Sequence, residues 1–189
     1  MAVLSFPAED RTVYDELAVR AELAELGIGY ERWDLSRVAE DATADAVMEA
    51  YAAEIDAMKS AGGYTTADVI DVTPETPGLE EMLARFDKEH THSEDEVRFV
   101  LAGQGIFFLN IGGKVASVEV HPGDLLRVPR GTTHWFTLCA DRRIRAIRWF
   151  QETTGWAPEY TASGVDAGFT PLCFGPEYLG VRAKTAIQI

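Results

Sequence analysis

The sequence predicts a mainly β protein with α-helices: a sandwich or jelly-roll barrel, with a helical and mixed N-terminal portion packed on it. Three observations lead there. Short apolar segments follow one another closely from residue 96 to residue 150, separated by Gly103-Gln104-Gly105, Gly112-Gly113 and Pro122-Gly123. Many short strands with such turn residues between them are the mark of a sandwich or barrel. Before residue 66 the texture differs: Ala and Glu are the commonest residues, and glycines end the runs, as in helices. Between the two textures, polar side chains of one parity gather at residues 90–98, as on one face of an extended chain.

In chain order, residues 2–6 read as a short strand ended by Pro7, and residues 9–26 as a helix stopped by Gly27. Residues 30–35 read as a strand. Residues 43–61 read as a second helix ended by Gly62-Gly63, with Met48, Tyr51 and Met58 as core contacts rather than a cofactor box. A strand over 66–72 is broken by Pro74 and Pro77, and a short helix over 79–86 delivers the chain to its first histidine. Strands follow at 96–102, 105–111, 114–120, 124–128, 134–138 and 144–150. The tail, 151–189, is rich in Gly and Pro and carries Trp156, Tyr160, Phe169, Phe174 and Tyr178; it is placed to wrap the barrel and cover its mouth. With no linker or internal repeat, residues 1–189 read as one domain: an N-terminal portion (1–65), a barrel core (66–150) and the wrapping tail (151–189).

Composition bounds the function. A chain of 189 residues, 47% hydrophobic, is long enough for one proper core. The net charge of −14 argues against nucleic acid and anionic membrane as partners, both of which favour basic patches. A small anionic substrate would need a local cation, and Arg98 is placed to be it. Cys139 and Cys173 form no Cys-x-x-Cys pair and read as inert thiols of a reducing cytoplasm, in a chain too long to need a disulfide staple. No basic leader precedes a hydrophobic run, and no stretch approaches the roughly 20 apolar residues of a membrane span, so no signal peptide or anchor is expected. A monomer is expected, because no long apolar face is left over.

Three of the four histidines are His90, His92 and His134. His90, His92, Glu96 and Arg98 share a parity, so an extended segment presents two imidazoles, a carboxylate and a guanidinium on one side. Such a set is costly to bury unless something compensates it. A divalent metal does so, taking neutral imidazole and carboxylate as ligands. Ligands of these types without thiolate suit iron, nickel, manganese, copper or zinc. A solvated hairpin is the better reading of an isolated His-x-His; the carboxylate in register and His134 downstream favour the metal. Phe86 and Phe136 have the parity to flank the ion and Trp156 is placed to close the pocket, with ordinary core as the alternative. His121 reads as a turn residue. No Ser–His–acid constellation is evident.

His90-x-His92-x-x-x-Glu96, with Gly103 beyond, resembles the first cupin motif, and Gly123, Pro129-x-Gly131 and His134 resemble the second. Ala84 and Leu138 stand where that pattern usually has Gly and Asn; neither is a ligand. More specifically, Arg98 after Glu96, Gly103-Gln104-Gly105, the block from Pro129 to Phe136, Arg148-Trp149-Phe150 and Gly155-Trp156 resemble the acireductone dioxygenase family. The resemblance is clear over residues 66–160. It implies a cupin-type double-stranded β-helix and a dioxygenase of methionine salvage acting on 1,2-dihydroxy-3-keto-5-methylthiopentene and O2. One Fe(II) or Ni(II) per chain would sit on His90, His92, Glu96 and His134. The iron form would yield 4-methylthio-2-oxobutanoate and formate; the nickel form would yield 3-methylthiopropanoate, formate and carbon monoxide. Four protein ligands leave two positions of an octahedral ion for a vicinal enediolate, which the Lewis acid keeps ionised, while Arg98 stabilises developing negative charge. Glu89 is implied to assist metal loading and Asp95 to relay local rearrangement; both read equally well as surface acids. The alternatives are another metal-dependent cupin enzyme (an isomerase or other dioxygenase) and a non-catalytic ligand-binding cupin. A phosphate substrate would call for more cations than Arg98, Arg127 and Arg130 supply.

Overall fold

The chain begins with a hairpin, β1 (Val3–Phe6) and β2 (Arg11–Val13), turned by a 3-10 segment, Pro7–Glu9. This computed structural model describes residues 1–152 and 157–175; Trp156 and Tyr178 lie outside them. Helix α1 (Glu16–Glu25) and strand β3 (Gly29–Arg32) come next, then helices α2 (Ala44–Ala50) and α3 (Ala52–Gly62), strand β4 (Thr66–Val72) and the short helix α4 (Leu79–Leu83). The remaining strands are β5 (His90–Thr91), β6 (Glu96–Gly103), β7 (Gly105–Ile111), β8 (Lys114–Val120), β9 (Asp124–Val128), β10 (Thr133–Leu138), β11 (Ile144–Phe150) and β12 (Glu159–Tyr160).

They pair, always antiparallel, into two sheets: β12-β5-β10-β7-β8-β1-β2 and β3-β9-β6-β11-β4. The sheets enclose a common core in which Leu4, Leu109, Val118, Leu126, Val128 and Ile144 meet. This is the predicted jelly-roll architecture, mainly β with N-terminal helices. Each fully buried Val, Leu or Ile here contributes about 1.5–3 kcal/mol. Gly103 shows how tightly the β6–β7 corner is drawn. Its φ is +72°, and a Cβ there would stand 2.0 Å from the Arg143 carbonyl oxygen, so only glycine fits.

Strand β6, at the centre of the five-stranded sheet, is buried on both faces. Glu96, Arg98 and Val100 of β6 face the barrel interior; Val97 and Phe99 face outward, where α2 and α3 cover them with Val47, Tyr51 and Ile55. Trp33 fills the seam, 5.0 Å from Phe99 and edge-on to Trp149 at 5.9 Å. Met48 and Met58 pack there as core contacts.

The structure corrects several expectations. Residues 9–26 are not one helix: Arg11–Val13 pairs with β1, and α1 starts only after Asp15, whose side chain accepts the Ala18 N–H at 3.0 Å. An N-cap of this kind satisfies an amide the helix leaves open. The second predicted helix is broken at Tyr51, which turns inward and donates its hydroxyl to the Asp34 carbonyl. In the N-terminal portion, β1 and β2 extend one sheet and β3 the other. His121 does open the Pro122-Gly123 turn, its carbonyl accepting the Asp124 amide at 3.0 Å, but it is buried, 2% exposed, against Glu119. Cys139 and Cys173 are not separate inert thiols: they form a disulfide across 34 residues. The tail makes this possible by folding back along the outer face of the seven-stranded sheet, where Phe169 packs on Phe108 and Trp135. Segments far apart in sequence meet there, which spacing alone does not reveal.

Candidate metal centre

His90 and His134 are register partners on β5 and β10. The chain bends after Thr91, so His92 leaves the strand and Glu96 opens β6 in the opposite sheet. His90, His92, Glu96 and Arg98 therefore do not share one strand face, as a continuous extended segment would require. They converge because the bend carries Glu96 across the interior while parity keeps it pointing inward. One ligand-type atom from each of His90, His92, Glu96 and His134 lies within 4.8 Å of the others, and all four residues are buried. The imidazole centroids are 4.6–5.1 Å apart.

Each imidazole uses Nδ1 outward. His90 Nδ1 meets the Lys88 carbonyl at 2.6 Å, His92 Nδ1 the Ala157 carbonyl at 3.0 Å and His134 Nδ1 the Thr132 carbonyl at 2.7 Å. A carbonyl only accepts, so Nδ1 carries the proton and Nε2 presents a lone pair to the centre. Backbone partners of this kind fix the tautomer of metal-binding histidines. His92 Nε2 and His134 Nε2 lie 3.2 and 3.1 Å from Glu96 Oε2. Lone pairs facing a carboxylate that closely need a cation, either a proton or a metal ion. His90 Nε2 is buried with no hydrogen-bond partner among the described residues. The donor set and the His90 Nε2 lone pair fit a divalent metal.

The electrostatics agree. Burial, helped by the His134 charge, depresses the His90 imidazole to about 4, so it stays neutral and ready to ligate. Burial also works to lower His92, but the hydrogen bond and charge of Glu96 outweigh it and raise it. Burial alone would raise Glu96; the Arg98 guanidinium, with His134 and His92, holds it well below the ordinary carboxylate range. Arg98 donates from Nε to Glu96 Oε1 at 2.7 Å and lies over the Phe136 ring at 5.0 Å.

Beside the centre lies a cavity of about 220 Å³. Ile70, Val72, Met82 and Leu83 give it an apolar wall; Phe86, Arg98, Phe136 and Arg148 complete it. Phe86 stands 5.9 Å from the His90 ring and 6.4 Å from that of His92. Arg148, which in sequence stands only as part of the Arg148-Trp149-Phe150 resemblance, is bound through two nitrogens to Asp68. Arg127 and Arg130 are exposed and outside the cavity. A cleft of about 360 Å³, lined by Val38, Leu101, Pro122 and Arg145 among others, shares no residue with the histidine cluster.

The acids around the cluster are anchored rather than surface-free. Glu89 is 3% exposed and accepts from Asn110 Nδ2 at 2.7 Å and from the Thr161 and Ser163 hydroxyls. Asp95 accepts from the Tyr64 hydroxyl and the Arg130 amide, each at 2.9 Å. Glu94, which its acidic neighbours disguise in sequence as part of a solvated run, is 5% exposed and accepts the amides of Gln151 and Glu152. Tyr160, read only as a tail aromatic, pairs with His90 in register. Trp156 lies outside the described residues.

Residues 7–158 match the ARD/ARD′ family. The acireductone dioxygenase of Synechococcus sp. (strain CC9605) is 42% identical over 159 residues, covering 84% of this chain and 86% of its own. That of Xylella fastidiosa (strain 9a5c) is 41% identical over 173 residues, covering 91% and 89%. Among solved structures, acireductone dioxygenase from Bacillus anthracis, with a cadmium ion in its active centre, matches with a TM-score of 0.80. It is 36% identical and covers 85% of this chain and 98% of its own.

Proposed function

The chain belongs to the ARD/ARD′ family of acireductone dioxygenases, and we propose that it oxidises 1,2-dihydroxy-3-keto-5-methylthiopentene with O2 in methionine salvage. His90, His92, Glu96 and His134 hold one Fe(II) or Ni(II). With iron the products are 4-methylthio-2-oxobutanoate and formate; with nickel they are 3-methylthiopropanoate, formate and carbon monoxide. The observation that carries this reading is the convergence of the four side chains within 4.8 Å, beside a cavity that Arg98 borders. The cadmium ion in the active centre of the Bacillus anthracis relative supports it.

The bound ion supplies a Lewis acid that favours the ionised enediol. The protein side chains do the rest. The carbonyls of Lys88, Thr132 and Ala157 keep the imidazole lone pairs aimed inward. Arg98 places a fixed positive charge where the substrate dianion gathers, at no reorganisation cost during reaction. Ile70, Val72, Met82 and Leu83 receive the methylthio arm and exclude water from it. Phe86 and Phe136 hold the enediol end between the arm and the histidines.

We read the protein as a cytoplasmic monomer without nucleic-acid or membrane partners. Its charge of −14 supports the former; no described helix is long and apolar enough to cross a membrane. The test is product analysis after separate reconstitution with iron and with nickel. Formate with the keto acid in one case, and formate with carbon monoxide in the other, are expected. Failure to consume O2 with either metal would defeat the reading.

A further inference from the structure

A second group of ligand-type side chains meets on the outer face of the seven-stranded sheet, under the tail. Glu119, Cys139 and Cys173 bring a carboxylate oxygen and both sulfurs within 4.8 Å of one another. Glu119 and Cys139 are each 2% exposed. The tail satisfies part of the carboxylate, through the Phe174 and Gly175 amides at 2.6 and 2.8 Å. His121, also 2% exposed, lies just past the end of β8 with Nε2 3.2 Å from Glu119 Oε1. That contact lacks hydrogen-bond alignment, and neither ring nitrogen has a hydrogen-bond partner among the described residues. A buried polar group left this way is costly, and nothing in the histidine-rich centre uses this imidazole.

We propose that, in its reduced form, this cluster is a second metal site, distinct from the first, that takes a thiophilic divalent cation such as zinc on Cys139, Cys173, Glu119 and His121. The carboxylate oxygen and the two sulfurs are close enough for shared coordination; His121 stands outside that group and enters it by side-chain rotation from its contact with Glu119. Nitrogen and oxygen ligands about 2.0–2.1 Å from one tetrahedral zinc stand about 3.3 Å apart, close to the 3.2 Å between His121 Nε2 and Glu119 Oε1. Thiolates at about 2.3 Å from the ion stand about 3.8 Å apart, within side-chain reach on Cα atoms separated by 5.9 Å. Ligand chemistry separates the two sites. Thiolate favours zinc and other soft ions, whereas the first site offers only imidazole and carboxylate.

The disulfide and the metal exclude one another. A dithiol reductant transfers two electrons and two protons to the Cys139–Cys173 bond, leaving two thiols and closing to a disulfide itself. Metal binding then releases both thiol protons to solvent. Either state pins the tail at Cys173: the disulfide where conditions oxidise, the ion where they reduce.

The test uses the full chain carrying His90→Ala and His92→Ala, which empties the first centre, reduced with a dithiol and desalted without oxygen. Titration with cobalt(II) should give a thiolate-to-cobalt charge-transfer band saturating at one equivalent and bleached by zinc. The band should be absent from the oxidised protein and after Cys139→Ser with Cys173→Ser, and at least tenfold weaker in affinity after Glu119→Gln. No band in the reduced protein, or a band surviving the double serine change, overturns the proposal. Should the histidine variant fail to fold, the wild-type chain decides. Zinc added beyond the first equivalent should protect two thiols from a thiol reagent and a chelator should expose them again; equal reactivity with and without zinc overturns the proposal.

Discussion

Arg98 and Glu96 stand two residues apart on the inward face of β6, joined by a 2.7 Å hydrogen bond from Nε to Oε1. One carboxylate oxygen is thereby fixed, and the other is turned to His92 and His134. Arg98 thus borders the cavity and fixes the candidate carboxylate ligand. Arg98→Leu should abolish most turnover and also weaken metal binding about 10–100-fold, the range for losing a residue that orients a ligand. Arg98→Lys should restore only part of each, because an ammonium lacks the guanidinium's planar fork. Competitive metal titration alongside oxygen consumption checks this; metal affinity unchanged in the leucine variant would remove Arg98 from its role on Glu96.

Removing the metal should cost stability. An ion bound at 1,000 times its Kd stabilises by about 4 kcal/mol. Chelation should therefore lower the Tm of the wild-type chain by several degrees. His92→Ala should retain no iron or nickel after desalting, and its Tm should not respond to either metal. Calorimetry with and without chelator reads both; a metal-dependent rise surviving in the variant would remove His92 from the ligand set.

Glu89 ties the segment after β12 to the barrel through Asn110, Thr161 and Ser163. Burial raises its pKa, but the hydrogen bonds from those three residues outweigh it, so the carboxyl lies below its ordinary value. A depressed folded pKa gives stability that is present above the unfolded value of about 4.5 and lost as pH falls through the folded one. Glu89→Ala should destabilise by about 1–3 kcal/mol, with the loss narrowing in acid. Amide exchange at residues 161–165 should rise while metal content holds. Loss of metal with unchanged exchange would instead favour a loading role for this acid.

Tyr30 donates to the buried Asp124 at 2.8 Å, next to Arg32 at 2.7 Å. Burial first, then the Asp124 charge, raises the phenol well above its ordinary pKa. A raised folded pKa gives stability fully present below about pH 10 and lost as pH rises through the folded value. Tyr30→Phe should cost about 1–3 kcal/mol at neutral pH and flatten the alkaline part of the stability profile. Urea melts from pH 7 to 11 measure this; an unchanged alkaline slope would mean another group controls it.

Much of the barrel was legible because its cues are local. The strands at Gly105–Ile111, Lys114–Val120, Asp124–Val128 and Ile144–Phe150 occur where apolar runs between glycine turns place them. The hairpin at Arg11–Val13 was not legible: three residues are too few to show an alternation, and pairing with β1 makes them a strand. The break at Tyr51 depends on a packing partner, the sheet beneath it. The candidate ligands were legible as residue types and parity, but Glu94, Arg148 and His121 were not, because each owes its environment to a distant segment.

Taken alone, the sequence determined which residues of a strand share a face, where the barrel chain turns and which side chains have metal-binding chemistry, since all three follow from spacing along one chain. Tertiary structure alone decided that His90 and Glu96 belong to opposite sheets, that Arg98 holds Glu96 in place, and that Cys139 meets Cys173. Those relations depend on which strands become neighbours, and neighbours far apart in sequence are chosen by burial of the whole core rather than by any local preference.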